Sequence, residues 1–463
     1  MAGTPGRRYE IDMCSGAILP KMLQFALPLM LSSVLQLLFN AADIIVVGRF
    51  AGDNSLAAVG SNTSLINLLV NLFIGLSVGA NILAARFYGS GDRTGLRQTV
   101  HTAMMLGLVS GCVLAVVGAL GARTVLTWMQ CPPEVLDLAA LYLRIYFLGM
   151  PATMLYNFGA ALLRAVGDTR RPLYYLFIAG VVNVALNLFF VIICQLDVAG
   201  VALATVISQC ISAFLVVRCM MREQGGVHLE LRELRFWPVR LRQILQVGLP
   251  AGFQGILFAL SNVVIQSSVN LFGNTVMAGN AASSNIEGFV YVSMNAFYQA
   301  NISFTSQNLG AGRIERIRPI LLWAQGCTAV TGLALGGLVA LFGQRLLGIY
   351  SESPDVIAAG MNRLVIICMA YFLCGMMDTM VGSLRGIGYS VMPMLVSLMG
   401  VCALRLVWIA TIFQIPAFHT PAGIYWSYPV SWAITFLTHL ICFVLAYRRL
   451  KRRHAVPAET AEH

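Results

Sequence analysis

Apolar residues fill this chain in runs of twenty or more, separated by short connections rich in Arg, Asp, Gly and Pro. Each run is long enough to cross about 30 Å of hydrocarbon at 1.5 Å per residue, and runs of that length predict helices rather than barrel strands. Twelve spans follow, at 22–47, 56–85, 99–121, 136–162, 173–195, 199–219, 243–272, 281–303, 320–347, 357–384, 393–415 and 421–447. Composition agrees: 58% of residues are hydrophobic and 11% charged, whereas soluble domains average roughly 45–50% and 25%. A water-soluble fold is excluded. The first run is too long for a removable signal peptide and lacks a small-residue cleavage site, so Met1 is expected to stay attached.

A net charge of +11 would suit a polyanionic partner, but the placement of the 30 Lys and Arg residues argues otherwise. Most fall at the termini, including Arg7 and Arg8, or in alternate connections, around Arg93, around Arg170, between Arg218 and Arg242, around Arg316 and at Arg385. The opposite connections hold only Arg49, Arg123, Arg144, Arg345 and Arg363, and Arg405 falls inside a span. This is the positive-inside pattern, which predicts a cell-membrane protein with both termini cytoplasmic and no nucleic-acid partner.

The chain also repeats itself. Leu27-Pro28 has a counterpart in Leu249-Pro250, Asn40 in Asn262, Ala80-Asn81-Ile82 in Ala300-Asn301-Ile302, Gly89 and Gly91 in Gly310 and Gly312, Arg164-x-x-Gly167 in Arg385-x-x-Gly388, and Pro172 in Pro393. The order is constant and the offset stays between 220 and 222. Two homologous halves of six spans follow, parallel repeats enclosing a central cavity. The expected organisation is an N-terminal six-helix bundle over 1–217, a cytoplasmic linker over 218–242 containing Gln224-Gly225-Gly226, a C-terminal bundle over 243–447 and a basic cytoplasmic tail over 448–463. The fold class is therefore an all-α membrane protein of twelve helices in two pseudo-symmetric bundles.

Acidic residues inside spans carry the sharpest functional signal, because each costs roughly 2.5–3.5 kcal/mol at a bilayer centre on insertion scales. Of the 19 acids, Asp43, Glu287 and Asp378 fall there. Gln36, Asn40 and Asp43 share one helix face at i, i+4 and i+7, a stripe suited to binding a cation or a proton, unless Asp43 merely caps its helix near Gly48. Asn183 and Asn187, again i and i+4, and Thr205 in the next span offer oxygen ligands that with Asp43 would make a sodium site, or else simply bond helix to helix. In the second half Glu287, Tyr291 and Tyr298 form an acidic and aromatic stripe that would attract a cationic solute, and Asn262, Gln266 and Asn270 line the seventh span. Asp378 serves either in coupling or in a structural pair with Arg405. With Arg405 the only cation expected inside a span against three acids, the lining reads as negative. The 11 Cys residues are scattered without paired spacing and read as small apolar packers. No metal-ligand spacing, nucleotide-binding loop or other catalytic motif appears, and His419 and His439 stand alone, so neither an enzyme nor an ATP-driven pump is expected.

Together these residues resemble the multidrug and toxic compound extrusion (MATE) family, in its bacterial branch. The likeness rests on Asn40-Ala-Ala-Asp43-x4-Gly48, Leu163-Arg164-Ala-Val-Gly167-Asp168-Thr169, Gln307-Asn308-Leu-Gly310-Ala-Gly312 and Leu384-Arg385-Gly-Ile-Gly388, spread over both halves. The resemblance implies a twelve-helix exporter of drugs or metabolites driven by inward sodium or protons, working on small organic substrates in the lipid membrane with no obligatory protein partner and no cofactor beyond the coupling ion. It also implies that Asp43, Asn183, Asn187 and Thr205 form the cation-coupling site, Asp43 being the possible sodium ligand. Asn187 departs from the family pattern by placing an amide where many members carry a carboxylate. Another branch has a Glu in the seventh span where Phe258 stands here, and Asp378 is similar to the acid that branch carries in its tenth span. The expected function is ion-coupled antiport of cationic or amphipathic organic solutes, with a flippase for a lipid-linked precursor as the alternative.

Overall fold

The computed structural model describes residues 9–129 and 131–455 of the chain. Arg7, Arg8 and the tail beyond residue 455 lie outside the described residues. Helices in chain order are α1 (Ile18–Phe50), α2 (Asp53–Ser90), α3 (Arg93–Trp128), α4 (Pro133–Leu148), α5 (Met150–Ala165), α6 (Arg170–Leu188), α7 (Asp197–Arg222), α8 (Pro238–Asn270), α9 (Asn274–Gly310), α10 (Ile317–Gly348), α11 (Pro354–Gly386), α12 (Val391–Ser397), α13 (Leu404–Ala410), α14 (Pro421–Tyr425) and α15 (Ser427–Ala455). Ten stretches among the described residues are long and apolar enough to cross a membrane, one of them running through α12 and α13 and another through α14 and α15. A further span is the pair α4 and α5, bent by 47° where Gly149 and Pro151 interrupt the backbone ladder. The remaining one is α9, whose 37 residues are long enough but unusually polar.

The helices run past the hydrophobic windows at nearly every end. Asp92 accepts from the Gly95 amide at 2.8 Å and starts α3 well before the apolar run. Ser353-Pro354-Asp355 starts α11 with Pro at the first position and an acid in the first turn. The helix bounds correct the counting of two charges with the connections. Arg144 and Arg363 are not in connections: they lie inside α4 and α11.

The chain divides into two compact units, one formed by Leu27–Gly255 with the described residues ahead of Cys14, the other by Cys14–Ala26 with the chain from Ile256 onward. The first helix of each half is therefore shared. α1 changes unit one residue before Pro28 and α8 changes a few residues after Pro250, and each proline removes a backbone bond within its helix. In the first unit α8 meets α2 through glycines so closely that a Cβ on Gly75 would lie 2.2 Å from the Gly252 nitrogen. In the second unit the start of α1 buries Met22, Phe25 and Ala26, with the Phe25 ring edge-on to Phe304 at 5.9 Å.

Repetition in the sequence becomes repetition in geometry. Asn81 donates to the Ala161 carbonyl at 2.8 Å, tying α2 to α5, and Asn301 donates to the Thr379 carbonyl at 2.7 Å, tying α9 to α11. Gly167 and Gly388 turn the chain with φ of 92° and 104°, a region closed to most side chains. After the first of these turns Asp168 accepts from the Arg170 and Arg171 amides and pairs with the Arg171 side chain, which also reaches Glu223.

The close approach of α2 and α8 yields a stability prediction. Gly75→Ala forces two backbones apart and should cost about 1–3 kcal/mol, whereas Gly121→Ala, with nothing within 4 Å of the added carbon, should be neutral. Thermal unfolding in detergent, followed by size-exclusion of the surviving fraction, compares the two; equal midpoints would refute the contact.

Candidate functional site

The first unit draws all four expected coupling residues into one line. Thr205 on α7 donates to the Val201 carbonyl at 3.0 Å, Asn183 on α6 donates to the Thr205 hydroxyl oxygen at 3.4 Å, and the Asn187 amide donates to Asn183 Oδ1 at 3.2 Å and to Asp43 Oδ1 on α1. Asn187 is wholly buried, yet its own Oδ1 has no hydrogen-bond partner. Buried acceptors are rarely left unpaired, and those that are call for an explanation. Directly after Asn187 the regular turns of α6 give way to a wider π turn over Phe189–Ile193, a feature that recurs at functional sites. Asp43 is thus no simple helix cap. Gln36 and Asn40, expected on its stripe, are exposed on α1 and take no part in the line.

The second unit holds a cavity of about 280 Å³. Its wall includes Glu287, but not as a free charge: both carboxylate oxygens accept from Arg363, at 2.8 Å each. Arg363 gives its third donor to Asn280 at 2.8 Å, Asn280 donates to Gln266 at 2.7 Å, and Gln266 to Asn270 at 2.9 Å. The expected attraction of a cation to Glu287 is corrected accordingly, since a bidentate guanidinium already neutralises it. Sequence reasoning missed Arg363 by counting it with the connections, although the expected span 357–384 and the helix start at Ser353-Pro354-Asp355 both place it inside α11. Arg405 is also not the sole cation within a span.

Two further corrections follow. Tyr298 leaves the Glu287 and Tyr291 stripe, accepting from Arg385 at 2.6 Å away from the cavity wall. Asp378 and Arg405 do not pair: Asp378 accepts from the Tyr291 hydroxyl at 3.3 Å, while Arg405 donates to Ser431 at 2.8 Å and lies 4.0 Å over the Tyr428 ring. A π turn over Leu398–Ala403 precedes Arg405 and sets it toward α15. Tyr291, Tyr371, Tyr428 and Trp432 share the cavity wall with Asn262 and Gln266. His439 is bonded to Ser397 at 3.0 Å.

Comparison with known proteins agrees with this architecture. The MatE family model matches residues 28–189 and again 250–411, once in each half. The probable multidrug resistance protein YoeA of Bacillus subtilis is 28% identical over 424 residues, covering 90% of this chain and 91% of that protein. The probable multidrug resistance protein NorM of Thermotoga maritima is 22% identical over 392 residues, 83% of this chain and 84% of that one. A solved structure described as the outward-facing conformation of a multidrug resistance MATE family transporter of the MOP superfamily superposes with a TM-score of 0.89 at 20% identity, over 97% of this chain and 100% of that chain. With one family model matched twice over most of its length and a duplicated helical fold to carry it, this chain is a multi-pass membrane protein of the MATE multidrug efflux transporter family.

Proposed function

We propose that the protein is a secondary antiporter of the cell membrane, with both termini cytoplasmic, that exports small organic solutes in exchange for H+ or Na+, and that Asp43 is the coupling group. The observation that carries this reading is the direction of the hydrogen bonds around Asp43. Because the Thr205 hydroxyl proton is committed to the Val201 carbonyl, Thr205 accepts; Asn183 therefore presents its nitrogen to Thr205 and its oxygen to Asn187; Asn187 presents its nitrogen to Asn183 and to Asp43. Every orientation is fixed by the one before it, and the line ends on a carboxylate that must accept.

Placing a proton on the Asp43 oxygen that faces Asn187 sets donor against donor. Relief comes when Asn187 turns its unpaired oxygen to Asp43, which in turn makes Asn183 turn and frees the Thr205 hydroxyl from Val201. A sodium ion beside Asp43 demands the same reversal, because hard cations take oxygen ligands. One ion bound on α1 thereby changes bonds on α6 and α7, which is the differential interaction that a two-state transporter requires. The lipid-precursor alternative finds no support among the relatives above.

Two outcomes are expected in proteoliposomes loaded with a fluorescent solute. Asp43→Asn, which cannot bind the ion, should abolish export driven by an imposed ion gradient while the protein still folds. Thr205→Ser keeps the acceptor and should export within about twofold of the parent, whereas the isosteric Thr205→Val lacks it and should lose about tenfold, the worth of one strong polar bond. Parent-level export by either Asp43→Asn or Thr205→Val would overturn the reading.

A further inference from the structure

The line of amides ends on a helix that is loosely held. α1 buries Leu29 and, further along, Val46 and Val47, but no residue from 30 to 45 is buried, and Leu31, Leu38, Ile44 and Ile45 are exposed. Asp43 sits in this stretch, and its bond to Asn187 joins α1 to α6. Hydrogen bonds hold only within a few tenths of an ångström of their preferred length, so the approach of the two helices must be fixed at this level by something more than general packing.

One contact is suited to that task. Gly180 on α6 lies so close to the Phe39 ring on α1 that an added Cβ would stand 1.8 Å from Cε2, 2.2 Å from Cζ and 2.4 Å from Cδ2. Gly180 is buried and lies inside α6 without the positive φ that reserves a position for glycine. Glycine in such a place weakens a helix relative to alanine. What it offers in return is a notch, and the edge of the ring fills it. Both partners stand in register with the amide line. Phe39 precedes Asp43 by four residues, while Gly180 precedes Asn183 by three and Asn187 by seven, spacings that keep each set on one helix face. A methyl at position 180 would have to expel the ring, and α1 has no buried side chain in this stretch to resist moving with it.

We propose that Phe39 and Gly180 are positioning residues of the coupling site: the ring seated in the notch sets the separation of α1 and α6 at which Asp43 reaches Asn187. The proposal rests on the coupling reading and deepens it by adding the contact that holds its helices in register. Both residues lie outside the line of hydrogen bonds, so their role is separable from ion binding itself.

Infrared difference spectra between acid and alkaline states of the purified full chain, in detergent and without a gradient, isolate the Asp43 bands as those lost in Asp43→Asn. In Gly180→Ala the Asp43 carboxylic-acid carbonyl band should move to higher frequency, as expected of an acid that loses a hydrogen bond. Phe39→Trp overfills the same notch from the other helix and should move it the same way, which covers the case of a Gly180 variant that fails to fold. Adding Phe39→Leu to Gly180→Ala removes the two nearest ring atoms and should return the band to its parent position. In proteoliposomes Gly180→Ala should lose about tenfold in ion-driven export, the worth of one strong polar bond, and the double variant should regain most of it. Gly121→Ala adds its methyl where nothing lies within 4 Å and should change neither readout. A band unmoved by Gly180→Ala and Phe39→Trp, or a shift that Phe39→Leu fails to reverse, would overturn the notch and leave coupling through Asp43 standing; a parent without any Asp43-dependent band would overturn both.

Discussion

A hydrogen bond has a direction, and inside a membrane-spanning helix bundle there is no water to forgive a wrong one. The proposed coupling site of this transporter is built on that constraint. Val201 offers a carbonyl oxygen that its helix neighbour Thr205 takes, and from that commitment each amide orientation follows in turn until Asp43 is reached. The same constraint explains the rest of the polar interior. Glu287 and Arg363 form a bidentate pair that extends to Asn280, Asn81 and Asn301 donate to carbonyls across helix pairs, and Arg405 lies over a ring face with no carboxylate within salt-bridge distance among the described residues. Asn187 Oδ1 is the acceptor left over at the end of that line.

Much of this was legible in the residues themselves. The hydrophobic runs located the core of every span, because exclusion from water depends on composition and little else. The line from Asp43 through Asn187 and Asn183 to Thr205 was also legible as a set, since the i, i+4 spacing of the two amides fixes a shared face. What stayed hidden depends on the third dimension. The bidentate pairing of Arg363 with Glu287 joins two helices distant in sequence, which no spacing along the chain reveals. Gln36 and Asn40 share a face with Asp43 yet are exposed, because periodicity assigns a face without saying what that face meets. The sideways set of Arg405 comes from a π turn that hydropathy does not reveal.

The duplication divides labour between scaffold and chemistry. Landmarks at a constant offset of about 221 share their geometry: Gly167 with Gly388, Asn81 with Asn301, and the prolines of α1 and α8. Polar function does not follow the repeat. At that offset Asn187 corresponds to Trp408, and Arg363 to Tyr142, which lies in the apolar core of the first unit. The span that Gly149 and Pro151 break in the first half is continuous in the second, where the corresponding stretch of α11 contributes Tyr371 to the cavity wall. One half has kept a line of amides that ends on a buried carboxylate, the other a charged and aromatic cavity, on backbones of common origin.

The reversal of the amide line is the central claim, and infrared difference spectroscopy between acid and alkaline states of the detergent-solubilised protein observes it directly. Protonation should produce a carboxylic-acid carbonyl band that is absent in Asp43→Asn, together with a shift of asparagine side-chain amide bands that disappears in Asn187→Leu. An acid band that survives Asp43→Asn, or amide bands that stay still while Asp43 takes up its proton, would contradict it.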